Sequence, residues 1–213
     1  MKDYSDEELM NLAMNDDARA FEELFRRYKR RLLGFFYGLV LNSEEARDCV
    51  QETFLRLWQK RHQFAHKGRF SAYLFQIAKN HFLDKSRSRK SHTDVQRISE
   101  RESGENLHQM SLSSGGYNEA VVNEIRGAVI EAMEHLPEIH RLVYVLSEEQ
   151  GMSYKDIADI LECPVGTVSS RKVEAVKKLR KLLQPLRDEL FGKSPRPDGW
   201  EAGKNDNNGE VNK

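Results

Sequence analysis

Cysteine is scarce in this 213-residue sequence: Cys49 and Cys163 are the only two. They lie far apart, and neither has a second Cys or a His at metal-ligand spacing. That excludes a disulfide framework and a cysteine-based zinc site, and it fits buried or incidental thiols in a reducing compartment. Long apolar runs are missing as well. No stretch approaches the roughly 18 apolar residues of a membrane span, and the N-terminus has no apolar core of the kind a signal peptide carries. A soluble, cytoplasmic protein with no direct membrane insertion is expected. Net charge is the third absence, since 34 Lys and Arg balance 34 Asp and Glu. No global field therefore draws the chain to nucleic acid or membrane. Finally, the paired carboxylates Asp48 and Glu52 stand at i, i+4 without a His or a third acid beside them, which argues against metal-dependent nuclease chemistry. No metal, cofactor or small-molecule substrate is expected, and no catalytic residues.

What charge asymmetry exists is local. Residues 60–90 and 171–181 are basic, whereas Asp3, Asp6, Glu7 and Glu8 near the start and Asp94, Glu100, Glu102 and Glu105 in the middle are acidic. The basic stretch from Phe70 to Lys90, FSAYLFQIAKNHFLDKSRSRK, interleaves aromatics (Phe70, Tyr73, Phe75, His81, Phe82) with cations (Lys79, Lys85, Arg87, Arg89, Lys90). Aromatic faces stack unpaired bases and cations neutralise phosphates, so the combination suits a nucleic acid whose strands are parting. An ordinary amphipathic helix with a solvated basic face has the same composition.

The rest of the chain reads as all-α. Ser5 with Glu8 forms a capping box before Leu9, Leu12 and Ala13. From Asp17 to Leu39, Phe21, Leu24, Phe25, Tyr28, Leu32, Phe36 and Leu39 recur at three and four, the pattern of a core-facing helix. Asn42-Ser43 caps a third helix to about Gln59. Its Ala46, Val50, Phe54 and Leu57 point one way, and Asp48, Gln51, Glu52, Leu55, Arg56 and Gln59 make an outward stripe able to dock a partner helix. A polar turn, His62 to Arg69, precedes the aromatic and basic helix. There Leu74, Ile77 and Ala78 should face the core, leaving Gln76, Lys79, Asn80, Leu83 and Arg87 outward. The amide of Asn80 has the geometry to read a base edge.

Between Ser86 and Gly116 the texture turns to Ser, Glu and Arg without a sustained period, the composition of a linker. A second helical domain follows from Tyr117. Val121, Ile125, Ala128, Val129, Ala132 and Leu136 line one helix. Pro137 suits the first position of the next, which carries Ile139, Leu142, Val143 and Leu146. Gly151 suits a helix stop, and Ser153 with Asp156 caps SYKDIADIL. After the turn Glu162-Cys163-Pro164, a long helix starting at Pro164 carries Val168, Ala175, Leu179 and Leu182 inward. Two helices joined by a tight turn, the second basic, form a helix-turn-helix pattern. Its second helix would enter a major groove with Gly166, Thr167, Ser169 and Ser170 at the bases, while Lys177, Lys178, Arg180 and Lys181 contact backbone or only solvate the helix. A helical hairpin of purely structural role has the same outline.

The block LPEIHRLVYVLSEEQGMSYKDIADILECPVGTVSSRKVEAVKKLRKLL resembles region four of bacterial RNA polymerase sigma factors. FEELFRRYKRRLLGFFYGLVLNSEEARDCVQETFLRLWQK with FSAYLFQIAKNHFLDKSRSRK resembles region two. Two such blocks joined by a short variable linker, without an intervening third region, resemble the extracytoplasmic-function class. The likeness runs from Phe21 to Leu183. It implies a region-two domain over residues 1–91, a linker at 92–116, a region-four domain at 117–190 and a disordered tail at 191–213.

The resemblance also implies roles. Asp48, Gln51, Glu52, Leu55 and Trp58 would meet the clamp helices of the polymerase. Lys67, Arg69, Tyr73, Gln76, Lys79, Asn80 and Arg87 would open the minus-ten element and hold a flipped base. Ser153, Lys155, Pro164, Gly166, Thr167, Ser169, Ser170, Val173 and Glu174 would read the minus-thirty-five element as duplex. Partners implied are core RNA polymerase, promoter DNA and an anti-sigma factor. Departures from the family pattern are Tyr73 where Trp is common, Lys172 in place of an aliphatic, and Ser169 and Glu174 where a basic residue is usual. A stand-alone helix-turn-helix regulator, binding duplex without polymerase, is the alternative, and the aromatic and basic helix argues against it.

Overall fold

A computed structural model describes residues 1, 3–64, 69–92 and 119–192. Every regular element among them is helical. The first group is α1 (Asp6–Met14), α2 (Ala18–Val40), α3 (Ser43–Gln59), a 3-10 turn (Arg61–Gln63) and α4 (Phe70–His92). The second is α5 (Glu119–Glu134), α6 (Glu138–Tyr144), α7 (Tyr154–Leu161) and α8 (Val165–Phe191).

The helix starts follow from side chains that satisfy free backbone amides. Ser5 accepts from the Glu8 N–H at 3.1 Å while the Glu8 carboxylate accepts from the Ser5 N–H at 2.7 Å, completing the capping box. Asp17 caps α2 and Asn42 caps α3 in the same way. Glu7 of α1 accepts from the Phe70 N–H at 3.0 Å, placing a carboxylate on the positive end of α4. α1 is further tied to α2 through Asp6, which pairs with Arg27 at 2.8 Å and accepts from the Tyr28 hydroxyl.

The apolar stripes meet in the middle of the bundle. Leu24, Leu32, Phe35, Phe36 and Leu39 of α2 lock against Leu57 of α3 and Phe70, Leu74 and Phe75 of α4, all essentially without solvent contact. Phe35 and Phe75 stand edge to face at 5.2 Å, as do Tyr28 and Phe70. In the second group, Leu142 and Val143 of α6 pack with Ile157 and Ile160 of α7 and Val168, Ala175 and Leu179 of α8.

Several expectations change. Phe70, Phe75 and Phe82 are core residues and His81 is 8% exposed, so of the aromatics in that stretch only Tyr73, half-buried, keeps a face outside. The three-and-four spacing decides this: those rings share a face with Leu74 and Ala78. Lys79, expected outward, is buried because the second helical group lies over it. The texture change at Ser86 does not end α4, which runs on to His92 with Lys85 anchored to Glu45 at 3.0 Å and Arg89 also on that carboxylate. Cations over the last turns of a helix favour its negative end. Pro137 and Pro164 occupy cap positions rather than first helical positions. Leu182 is 38% exposed, and Leu183 packs inward in its place. Residues 145–149 widen into a π turn, a feature with no periodic signature, and it closes at Gly151 with φ +63°. The expected linker from 93 onward and the tail from 193, with Trp200, lie outside the described residues.

Candidate polymerase and promoter interfaces

On α3, residues 48, 51, 52, 55 and 58 fall along one side at i, i+3, i+4 and i+7. Asp48 and Gln51 are exposed, and Leu55 keeps 57% of its surface in water. Glu52 is held by Arg56 at 2.8 Å, and Arg56 also reaches Asp84 of α4 at 3.5 Å. Trp58 is wedged between Phe21, ring centres 4.9 Å apart, and the Arg61 guanidinium, 4.3 Å above the indole. Arg61 is itself fixed to Asp16. The stripe is therefore an open apolar and acidic surface with a braced aromatic at its end.

On α4 the expected promoter-contacting residues divide. Asn80 and Arg87 are exposed. Tyr73 leans on Phe64, centres 5.2 Å apart, with its hydroxyl 3.3 Å from the Lys60 carbonyl, and burial raises its pKa. Arg69, Gln76 and Lys79 turn towards the second helical group. Arg69 donates to Asp156 at 3.1 Å, and Gln76 and Lys79 donate to Glu162 at 3.2 and 3.1 Å. Lys67 lies outside the described residues.

In the second group, Ser153 caps α7, its hydroxyl accepting from the Asp156 N–H at 3.1 Å. α7 ends at Glu162 with φ +53°, and after Cys163 and the Pro164 cap, α8 begins. Gly166, Ser170, Val173 and Glu174 are exposed along the first turns of α8, with Thr167 and Ser169 partly so, and Lys155 is exposed on α7. Val173 is 61% exposed, a β-branched apolar residue that packing within the chain does not account for. A Cβ on Gly166 would meet nothing within 4 Å, so internal packing does not require glycine there.

Lys172 turns away from this surface. It pairs with Glu148 at 2.5 Å and lies over the Tyr154 ring at 5.4 Å, so it braces α8 against the π turn and α7. Lys178 donates to the His135 carbonyl at 2.6 Å rather than pairing with Glu174. Cys49 is buried, and burial raises its thiol above the usual range despite Lys85 nearby.

Sequence reasoning missed Asp156 and Glu162 as partners of the α4 cations, and also Gly38 and Arg141. A Cβ on Gly38 would come within 2.9 Å of Val145 and Glu149. Arg141 donates to the Leu39 carbonyl at 2.7 Å, joining the second group to the end of α2. These contacts are distant in sequence, and the only local hint is a glycine inside an otherwise strong helix.

Comparison with known proteins places both groups. Residues 24–92 match the family model of Sigma-70 region 2, and residues 126–179 that of Sigma-70 region 4. The RNA polymerase sigma-H factor of Pseudomonas aeruginosa is 33% identical over 185 residues, 85% of this chain and 95% of that protein. The ECF RNA polymerase sigma-E factor of Escherichia coli K12 is 32% identical over 186 residues, 85% and 96% of the two chains. The chain belongs to the extracytoplasmic-function sigma factors. The solved structure of CnrH in complex with the cytosolic domain of CnrY matches with a TM-score of 0.64 at 25% identity, covering 85% of this chain and 99% of that one. Sigma factor RpoE of Bartonella quintana, solved with the anti-sigma factor NepR, shares the fold with a TM-score of 0.63 at 24% identity, over 78% and 98% of the chains. As a sigma factor the chain directs promoter-specific initiation of transcription. A stand-alone duplex-binding regulator would leave the region-two match without a use.

Proposed function

We propose that the two helical groups divide the work of initiation at the level of individual residues. Asp48, Gln51, Glu52, Leu55 and Trp58 dock on core RNA polymerase, with Leu55 as the apolar anchor and the acids setting orientation. Arg69, Tyr73, Gln76, Lys79, Asn80 and Arg87, with Lys67, take the minus-ten element as it opens. Tyr73 offers a ring edge to an extruded base, and the cations track the strand. Gly166, Thr167, Ser169, Ser170, Val173 and Glu174 read the minus-thirty-five duplex, while Ser153, Lys155 and Pro164 hold the backbone. Val173 suits a thymine methyl, and Glu174 suits a cytosine amino group.

The chain has no chemistry of its own in this reading. Phosphoryl transfer belongs to the polymerase, and the sigma factor supplies position and strand separation from the cytoplasm. Among the described residues no group of acids, His or Cys could hold a metal, and no helix is long and apolar enough to cross a membrane. An anti-sigma factor that covers the same faces is the expected regulator, supported by solved relatives captured with such partners.

The observation that carries the assignment is the exposure of Leu55 and Val173 on two separate helices, each at the centre of a polar surface. Run-off transcription with purified bacterial core polymerase on a randomised promoter library tests it. Starts that depend on the protein and share two upstream elements are expected. Substituting Val173 or Glu174 should change only the upstream element, and substituting Asn80 only the downstream one. An unchanged upstream preference in Glu174→Ala would remove that residue from the assignment.

A further inference from the structure

The faces assigned to the promoter in the two domains are turned towards each other. α7 lies along α4, and Glu162, where α7 ends, reaches across the seam. One of its oxygens accepts from both Lys79 and Gln76, while Asp156 accepts from Arg69. Lys79 is left 6% exposed, a degree of burial that lysine tolerates only with a partner. The hydrogen bonds from Lys79 and Gln76 hold the Glu162 carboxyl below its ordinary range. Beside these pairs runs a cleft of about 540 Å³, walled by Tyr73 and Arg69 on one side and Ser153 and Lys155 on the other.

Two backbone features serve this contact at a cost to their own elements. Glu162 has φ +53°, a region that glycine enters freely and a residue with a Cβ does not. Gly38 sits inside α2, where glycine weakens a helix, and any Cβ there would strike Val145 Cγ2 at 2.9 Å. Each concession lies where the second domain meets the first.

The closed arrangement cannot read a promoter. The two elements named for positions minus ten and minus thirty-five are separated by roughly 25 base pairs, about 85 Å of duplex at 3.4 Å per pair. Helices in direct contact cannot face both. We propose that the free chain is closed on itself, with the Glu162 and Asp156 carboxylates standing in for promoter phosphates. The open α3 stripe docks first, and the minus-ten face is uncovered only when polymerase draws the domains apart. This rests on the assignment of Arg69, Gln76 and Lys79 to the minus-ten strand.

The test uses the full chain without polymerase. Small-angle scattering gives its radius of gyration, and a labelled pool of random-sequence single-stranded DNA gives its strand affinity. Two variants open the seam from opposite sides. Glu162→Gly removes the carboxylate and relieves the left-handed backbone. Gly38→Gln drives a side chain against Val145 while strengthening α2 and leaving net charge unchanged. Both are expected to enlarge the chain and to raise strand affinity at least ~5-fold, since a masked site binds in proportion to its open fraction. The inference is overturned if neither variant changes either quantity, or if the chain enlarges without a gain in affinity. A gain from Glu162→Gly alone also overturns it, because that reports lost negative charge and not unmasking. The residue assignment fails separately: Lys79→Ala with Asn80→Ala would then leave initiation by polymerase saturated with sigma factor unchanged.

Discussion

The first domain presents two working faces under opposite conditions. The α3 stripe lies open, with Leu55 in water and Trp58 braced from behind, whereas the α4 face has its lysine, glutamine and arginine engaged by carboxylates of the second domain. An exposed face is ready for a partner at no conformational cost. A covered one binds only after the cover has moved, so its affinity is set by the partner that moves it. The same bundle can thus favour polymerase over stray DNA without any difference in the intrinsic quality of its two surfaces.

Within α4 the contrast can be broken two residues apart. Phe75→Ala should cost about 3–5 kcal/mol of stability, because the ring is fully buried against Phe35, and chemical denaturation reads this directly. Tyr73→Ala should leave stability within ~1 kcal/mol and instead lower the affinity of the assembled holoenzyme for melted promoter. Next in size, Leu55→Asp should weaken polymerase binding by about 2 kcal/mol, roughly 30-fold, with an unchanged denaturation midpoint. An equal loss in both measurements would show the stripe to be structural. Ser153→Ala removes the cap of α7 and should cost about 1 kcal/mol in the second domain, read by thermal melting, without altering polymerase affinity.

The smallest effect is a dependence on pH. Much of the Glu149 side chain meets solvent, but its carboxylate tip lies against Gly38, and loss of solvation there pushes its pKa up to about 7. Tyr37 of α2, Arg126 of α5, Glu148, Tyr144 and Lys172 surround it. The closed chain holds this proton more tightly than an open one, whose carboxyl titrates near 4.5. Closure is therefore favoured at low pH and weakens as pH rises from about 4.5 through about 7. Scattering should show a larger chain at pH about 8 than at about 6, and Glu149→Gln should flatten the trend.

Local rules made most of the helices legible. The caps at Ser5, Asp17, Asn42 and Ser153 mark starts through backbone amides that must be satisfied within a few residues, and the stripes of α2 and α3 follow from a period of 3.6. Stacking aromatics on α4 were overestimated for the same reason: alternation with cations in the sequence does not put rings and cations on one face. Phe70, Phe75 and Phe82 share the inward side. Glu162 was legible only as a turn residue, because its partner lies 83 positions away and nothing local encodes that distance. The α3 stripe could be read because all of it lies on one helix. The cover over α4 could not be read, because it is made by a second one.

Trp58 offers a consequence of another kind. Braced between Phe21 and Arg61 beside the exposed Leu55, its indole is an emitter already seated at the polymerase side of the molecule. The sequence has one other tryptophan, Trp200. With Trp200→Phe, the fluorescence spectrum becomes a clock for docking alone. Mixed rapidly with polymerase, it would time the arrival at α3 separately from the moment when a dye on α7 leaves α4.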